Sequence, residues 1–248
     1  MPVLKVGPGR ALVGGGGTYN DLVMGTQPIA YWPQSESSGL TAYCLTNPAM
    51  NGTYTGVTLA NDLTGPFGTP APYFDGLNDY CDIGNATFRA AFQAAAEAGE
   101  FSVMSWGKVN AGAVWTDGAE RNLVRVLVDA NNFIYQRKAV GNNRMEHDYN
   151  GAGTFDRVAN TPYSNTAWFC TITTVSDSAD EMKGYWDAAQ VGGTQAGIGL
   201  WAGLPNAGQT VIGAATVVPG SVWHGWIGPV AVWPYVLPQA VVSTVSLA

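Results

Sequence analysis

Glu146, His147 and Asp148 form the densest short run of groups able to move protons in this chain. On a strand, residues two apart face the same side, so Glu146 and Asp148 share a face. Two carboxylates on one face could cleave a glycosidic bond, one as nucleophile and one as acid. Asn150, an amide, stands next along that face. The plainer reading of the triplet is an exposed ion pair with Arg144.

Other chemistry finds less support. The only histidines, His147 and His224, are far apart, and neither has a nearby pair of Cys or Asp at zinc spacing. No Gly-x-Ser-x-Gly elbow and no phosphate loop occurs, and the run Gly14–Gly17 lacks the Lys-Ser/Thr of one. Asp75, Asn78, Asp79 and Asp82 make the richest oxygen cluster, but their spacing is not that of a calcium loop, and a polar turn is favoured. Glu36 sits among Ser35, Ser37, Ser38 and Gly39, so it reads as a turn residue. Cys44, Cys81 and Cys170 are odd in number, which excludes complete pairing within the chain, and each lies among apolar residues, as buried free thiols do.

A chain of 248 residues with 32 glycines, 14 prolines and only 12% charged residues suits short strands joined by tight turns. Such a length fits one large sandwich and needs neither disulfide nor metal for stability. Eighteen acids against eleven bases give a net charge of −7, which works against nucleic-acid binding. No apolar run approaches a membrane span, and the opening is too broken by Gly and Pro for a signal peptide, so synthesis and folding in the cytoplasm are expected.

Strand-like pieces bounded by turn signals fall at 29–32, 53–59, 71–74, 79–83, 101–109, 122–129, 132–138, 144–149, 167–175, 182–187, 210–213 and 222–234. One helix is predicted within 86–98, capped by Asn85 or Thr87 and ended by Gly99. Residues 1–27 read as an N-terminal arm with a glycine hinge, and 28–248 as the domain. Within the arm, Leu4, Val6, Leu12 and Val13 are too interrupted to form a core, and with Arg10 they are candidates for docking on a partner. A plain tail stands level with that reading.

The stretches "PIAYWPQSESSGLTAY", "NGTYTG", "YFDGLNDYCDIGN", "EFSVMSWGKV", "AWFCTITTV", "MKGYWDA", "VIGA" and "GWIGPVAVWPYVLPQAVV" follow one another over residues 27–248. In order and spacing they resemble the laminin-G-like, concanavalin A-like jelly roll, in the version found in bacteriophage virion proteins and bacterial surface proteins. The resemblance implies an all-β, two-sheet antiparallel jelly-roll sandwich whose first and last strands pair. It also implies a non-enzymatic virion structural protein, most simply a capsid decoration protein held on the major capsid protein by its arm, with a homotrimer as one arrangement. The alternative is a tail-associated adhesin or carbohydrate-binding module. Laminarinase-like hydrolases of this fold need Glu-x-Asp-x-(x)-Glu, which is incomplete here. Calcium-binding relatives use acids and amides on a loop rim. Cys44, the Asp187-Ala188 turn and Ile227-Gly228-Pro229 depart from the usual acidic pattern, so no cofactor is expected, with calcium the one exception to consider. For a glycan, Trp115, Trp186 and Trp201 lie nearest loops and are the candidates for stacking on sugar rings. Trp32, Trp106, Trp168, Trp226 and Trp233 sit inside apolar strands and are expected in the core.

Overall fold

The computed structural model describes residues 17–141, 143–159 and 163–247. In chain order they form α1 (Tyr19–Gly25), β1 (Ala30–Trp32), β2 (Thr41–Ala42), β3 (Gly52–Thr55), β4 (Thr58–Asp62), β5 (Ala71–Asp75), β6 (Tyr80–Asp82), α2 (Ala86–Glu97), β7 (Glu100–Val109), β8 (Arg121–Asp129), β9 (Asn132–Lys138), β10 (Met145–Gly151), β11 (Thr154–Ala159), β12 (Phe169–Ser176), β13 (Glu181–Trp186), β14 (Ala189–Ala196), β15 (Thr210–Ile212), β16 (His224–Trp233) and α3 (Gln239–Ser246). The strands make two antiparallel sheets. The first runs β14-β13-β12-β7-β16-β5-β4 with β1 also on β16, and the second runs β11-β10-β9-β8-β15-β6-β3-β2. This is the jelly-roll sandwich the sequence predicts. Its first strand lies beside its last, Ala30 to Trp32 opposite Val232 to Val230. The ladder of β16 shifts register between Ile227 and Val230, around Pro229, which has no N–H to give.

Between the sheets lies a core that includes Trp32, Phe101, Trp115, Phe169, Trp186 and Trp223. Helix α2 closes one end of it. The Asn85 side chain accepts from Phe88 N, Gly99 ends the helix at φ +83°, and Phe88 and Phe92 face inward. The helix was expected here, whereas α1 and α3, also among the described residues, were not. Helix α1 opens with a reciprocal Thr18–Asp21 capping box, and α3 starts after Pro238. Both contribute to a second apolar cluster on the outward side of the first sheet, where Val23, Val242 and Val245 meet Met104, Cys170, Ile172 and Trp233. Tyr19 donates to Val245 O at 2.7 Å and Trp233 Nε1 donates to Thr26 Oγ1 at 2.9 Å. Residues 18–27, read from sequence with the arm, pack on this sheet, because an apolar, capped turn of helix buries against it.

Two more differences have local causes. The expected strand at 53–59 splits at Gly56, whose φ of +76° turns the chain so that β3 joins one sheet and β4 the other. Strands β11 and β14 were not expected. Each follows a two-residue hairpin loop, Ala152-Gly153 and Asp187-Ala188, with both residues at positive φ. Neither loop carries the usual Asn-Gly signal, and β14 is polar and exposed along most of its length. All three cysteines are free and buried. A thiol reagent is expected to react slowly with the native chain and to titrate three thiols per chain once it is denatured without reductant. A count of one would mean a bridge had formed.

Candidate functional site

Alternation along β10 divides its side chains between two environments. Met145 and Tyr149 point into the core, and His147 lies with them between the sheets. Glu146, Asp148 and Asn150 point to the outward face of the second sheet. Register then sets their neighbours. Phe133 and Phe155 flank Asn150, Tyr135 and Arg157 flank Asp148, and Arg137 and Ala159 flank Glu146. From β8, Arg125 lies opposite Tyr135 and Leu127 opposite Phe133. The outward face of β8–β11 is thus a grid with one aromatic row and two charged rows.

The charged rows are tightly paired. Arg157 grips both oxygens of Asp148, Nε at 2.6 Å and Nη2 at 3.0 Å, and Arg137 Nη2 adds a contact at 2.7 Å. Arg137 also bonds Glu120. Glu146 is only 4% exposed, with Arg137 and Arg157 at 3.4 Å and Arg144 at 4.0 Å. Burial raises the pKa of Glu146, the Asp148 charge adds to this, and the arginines oppose both. The bond to Asp148 raises that of Arg157. The exposed Arg144–Glu146 pair expected from sequence is therefore a buried network instead. Residues four strands wide in the sheet shield each other, which spacing along one strand does not reveal. With both carboxylates held by guanidinium groups and an amide at position 150, this face offers charge and hydrogen-bond partners and lacks a facing pair of free carboxylates.

The aromatic residues are open only in part: Phe133 is half-buried, and Tyr135 is 9% exposed. Phe133 stacks on Tyr135 with ring centroids 4.3 Å apart and planes within 11°, and Phe155 lies 5.9 Å from Phe133 and is 47% exposed. Guanidinium groups line these rings. Arg125 sits 4.5 Å from the Tyr135 centroid and Arg157 5.0 Å from that of Phe155. Arg125 Nη2 donates to Gln209 Oε1 at 3.2 Å. Asn150 donates to Ala130 O at 3.2 Å, while its Oδ1 is buried without a hydrogen-bond partner.

The residues singled out from sequence fall elsewhere. Trp115, Trp186 and Trp201 are 0%, 9% and 3% exposed and belong to the main core, so none has a ring face for a sugar. Their loops fold inward: Trp115 Nε1 donates to Asn165 O and Trp201 Nε1 to Gly203 O. Conversely, Trp168 and Trp226, expected in the core, are half-buried on the outward side of the first sheet around Lys108, which pairs with Asp62 at 2.9 Å. Leu4, Val6, Arg10, Leu12 and Val13 lie outside the described residues. Asp75, Asp79 and Asp82 accept main-chain amides in their turns, and no group of three or more His, Cys, Asp or Glu is placed to hold a metal ion among the described residues. Glu36 ties its loop, accepting from Tyr43 N at 2.8 Å and from the Tyr54 hydroxyl at 2.8 Å. Phe133, Tyr135 and Arg137 did alternate in the sequence, and that was the signal available. Phe155 and Arg157 stand on β11, a strand that was not expected.

No family model matches the chain, and no curated protein is similar to it in sequence. Solved structures do share its fold. Domain 4 of AbnA, an extracellular arabinanase from Geobacillus stearothermophilus, solved with arabinotriose, superposes with a TM-score of 0.64 at 13% identity, over 88% of this chain and 98% of that one. The CBM40 of a Ruminococcus gnavus sialidase gives a TM-score of 0.54 at 9% identity, over 70% of this chain and 96% of that one. The receptor-binding domain of a botulinum neurotoxin of mosaic serotype C/D gives 0.62 at 13% identity, over 88% of this chain and 50% of that one.

Proposed function

We propose that this chain is a carbohydrate-binding domain that works by binding and not by catalysis, and that it receives glycan on the outward face of β8–β11. The observation that carries this reading is the pair of rings Phe133 and Phe155 flanking Asn150, with Arg125, Tyr135 and Arg157 in the next row. A sugar presents an apolar C–H face and a rim of hydroxyls. Flat rings suit the first, and amide and guanidinium groups suit the second. Support also comes from the neighbours, since the arabinanase domain was solved with arabinotriose and the CBM40 also with α2,3-sialyllactose.

Placing the chain on a phage particle is a finer proposal. It rests on the residue resemblance alone, and the neighbours named above are not described as virion components. In that setting a glycan-binding domain fits a tail-associated adhesin better than a capsid decoration protein, with Leu4, Val6, Arg10, Leu12 and Val13 of the N-terminal arm as its attachment and a homotrimer as its assembly. Phe133→Ala and Phe155→Ala are each expected to weaken binding to a responsive oligosaccharide by roughly 1–2 kcal/mol, about five- to thirtyfold. Trp226→Ala, on the opposite sheet, should leave it unchanged. Folded ring variants that bind like the parent would place the site elsewhere.

A further inference from the structure

We infer that the glycan bound here carries a carboxylate, and that Arg125 reads it; the inference rests on the carbohydrate reading above and names its ligand class. The chain has seven arginines within a net charge of −7, and three of them, Arg125, Arg137 and Arg157, lie on this one face. Two of the three are already committed. Arg137 holds Glu120 and Asp148, and Arg157 holds both oxygens of Asp148. Arg125 differs. It packs on the Tyr135 ring, donates to the neutral amide of Gln209, and has its Nε buried without a partner. Among the described residues it forms no ion pair with a carboxylate.

A guanidinium fork left in this condition matches a carboxylate in two parallel hydrogen bonds, and a half-buried one is less screened by water than a surface lysine. The Gln209 amide is the group such a ligand would displace. The Tyr135 ring beside Arg125 fixes the plane of the fork and is itself backed by the stacked Phe133 ring, and the more open Phe155 ring is left for the apolar face of the sugar. A uronic acid, or another sugar bearing a carboxylate on its ring, presents both features together. A neutral sugar would leave the cation as it is.

The test compares oligogalacturonate with its methyl ester, which has the same length and no charge, by calorimetry on the full chain. The acid is expected to bind at least about tenfold more tightly, ~1.4 kcal/mol. High salt should narrow that gap, and Arg125→Gln should abolish it at an unchanged melting temperature. Equal affinities, or a preference that survives in Arg125→Gln, overturn the inference. Should the glutamine variant fail to fold, the salt dependence of the parent decides: a gap insensitive to salt also overturns it. Binding of arabino-oligosaccharide without binding of oligogalacturonate removes the inference and leaves the carbohydrate reading standing. Failure of every glycan on a broad panel removes that reading first.

Discussion

Between pH 6.5 and about 3 the folded chain is expected to lose on the order of 5 kcal/mol of stability through His147 alone. The ring is fully buried between the sheets, Nδ1 at 2.8 Å from Thr173 Oγ1 and Nε2 at 3.1 Å from Thr171 Oγ1. Thr173 is also bonded by Gln136, which holds Ser105, so a polar thread crosses an otherwise apolar core. Two hydroxyls satisfy a neutral imidazole, but no carboxylate bonds the ring to offset a charge. Burial therefore lowers the pKa from 6.5 to about 3. The sign follows from proton uptake. Below pH 6.5 the unfolded chain binds a proton here and the folded chain does not, so the contribution is complete above 6.5 and falls away until about pH 3. Carboxylates titrate over the same range, and a comparison removes them. Denaturant unfolding of the parent and of His147→Gln, measured across this range, should give curves that converge as pH falls. Parallel curves would mean that the ring is not held neutral.

The second large effect is expected at Trp115. Truncation to Ala should cost about 3–5 kcal/mol, the range for a large aromatic lost from a packed core. Its ring meets Tyr163, Phe169 and Trp186 with centroids 5.3, 5.9 and 6.3 Å away, and its indole N–H is bonded to Asn165 O at 2.8 Å. The same variant, below its lowered melting temperature, should bind glycan as the parent does. Weak binding by a variant of near-normal stability would instead return Trp115 to the sugar site.

That contrast shows where the sequence was legible. Strand positions with clear apolar alternation, such as β7, β12 and β16, were readable, as was the capped helix α2, because local pattern and burial agree there. The pairing of the first strand with the last was what the jelly-roll resemblance implied, and the register shows it. Sites were harder. Trp115 and Trp201 lie next to Gly-rich loops, and nearness to a loop was taken for exposure, but those loops turn their large rings inward. Trp226 lies in an apolar strand, yet alternation within that strand turns it outward. The face of β8–β11 is built from four strands whose register no single segment encodes. One of the four, β11, starts from an Ala-Gly hairpin that lacks the usual turn residues. The burial of Glu146 and Asp148 is likewise a property of the sheet, produced by arginines that stand on neighbouring strands.

The central claim is that the outward face of β8–β11 binds carbohydrate, and backbone amide chemical shifts recorded during titration with a bound oligosaccharide test it most directly. The account predicts shifts concentrated at Phe133, Tyr135, Asn150, Phe155 and their strand neighbours, with α1, α3 and the surroundings of Trp226 unmoved. Shifts centred on Trp226 and Trp168, with β9 to β11 silent, would contradict it.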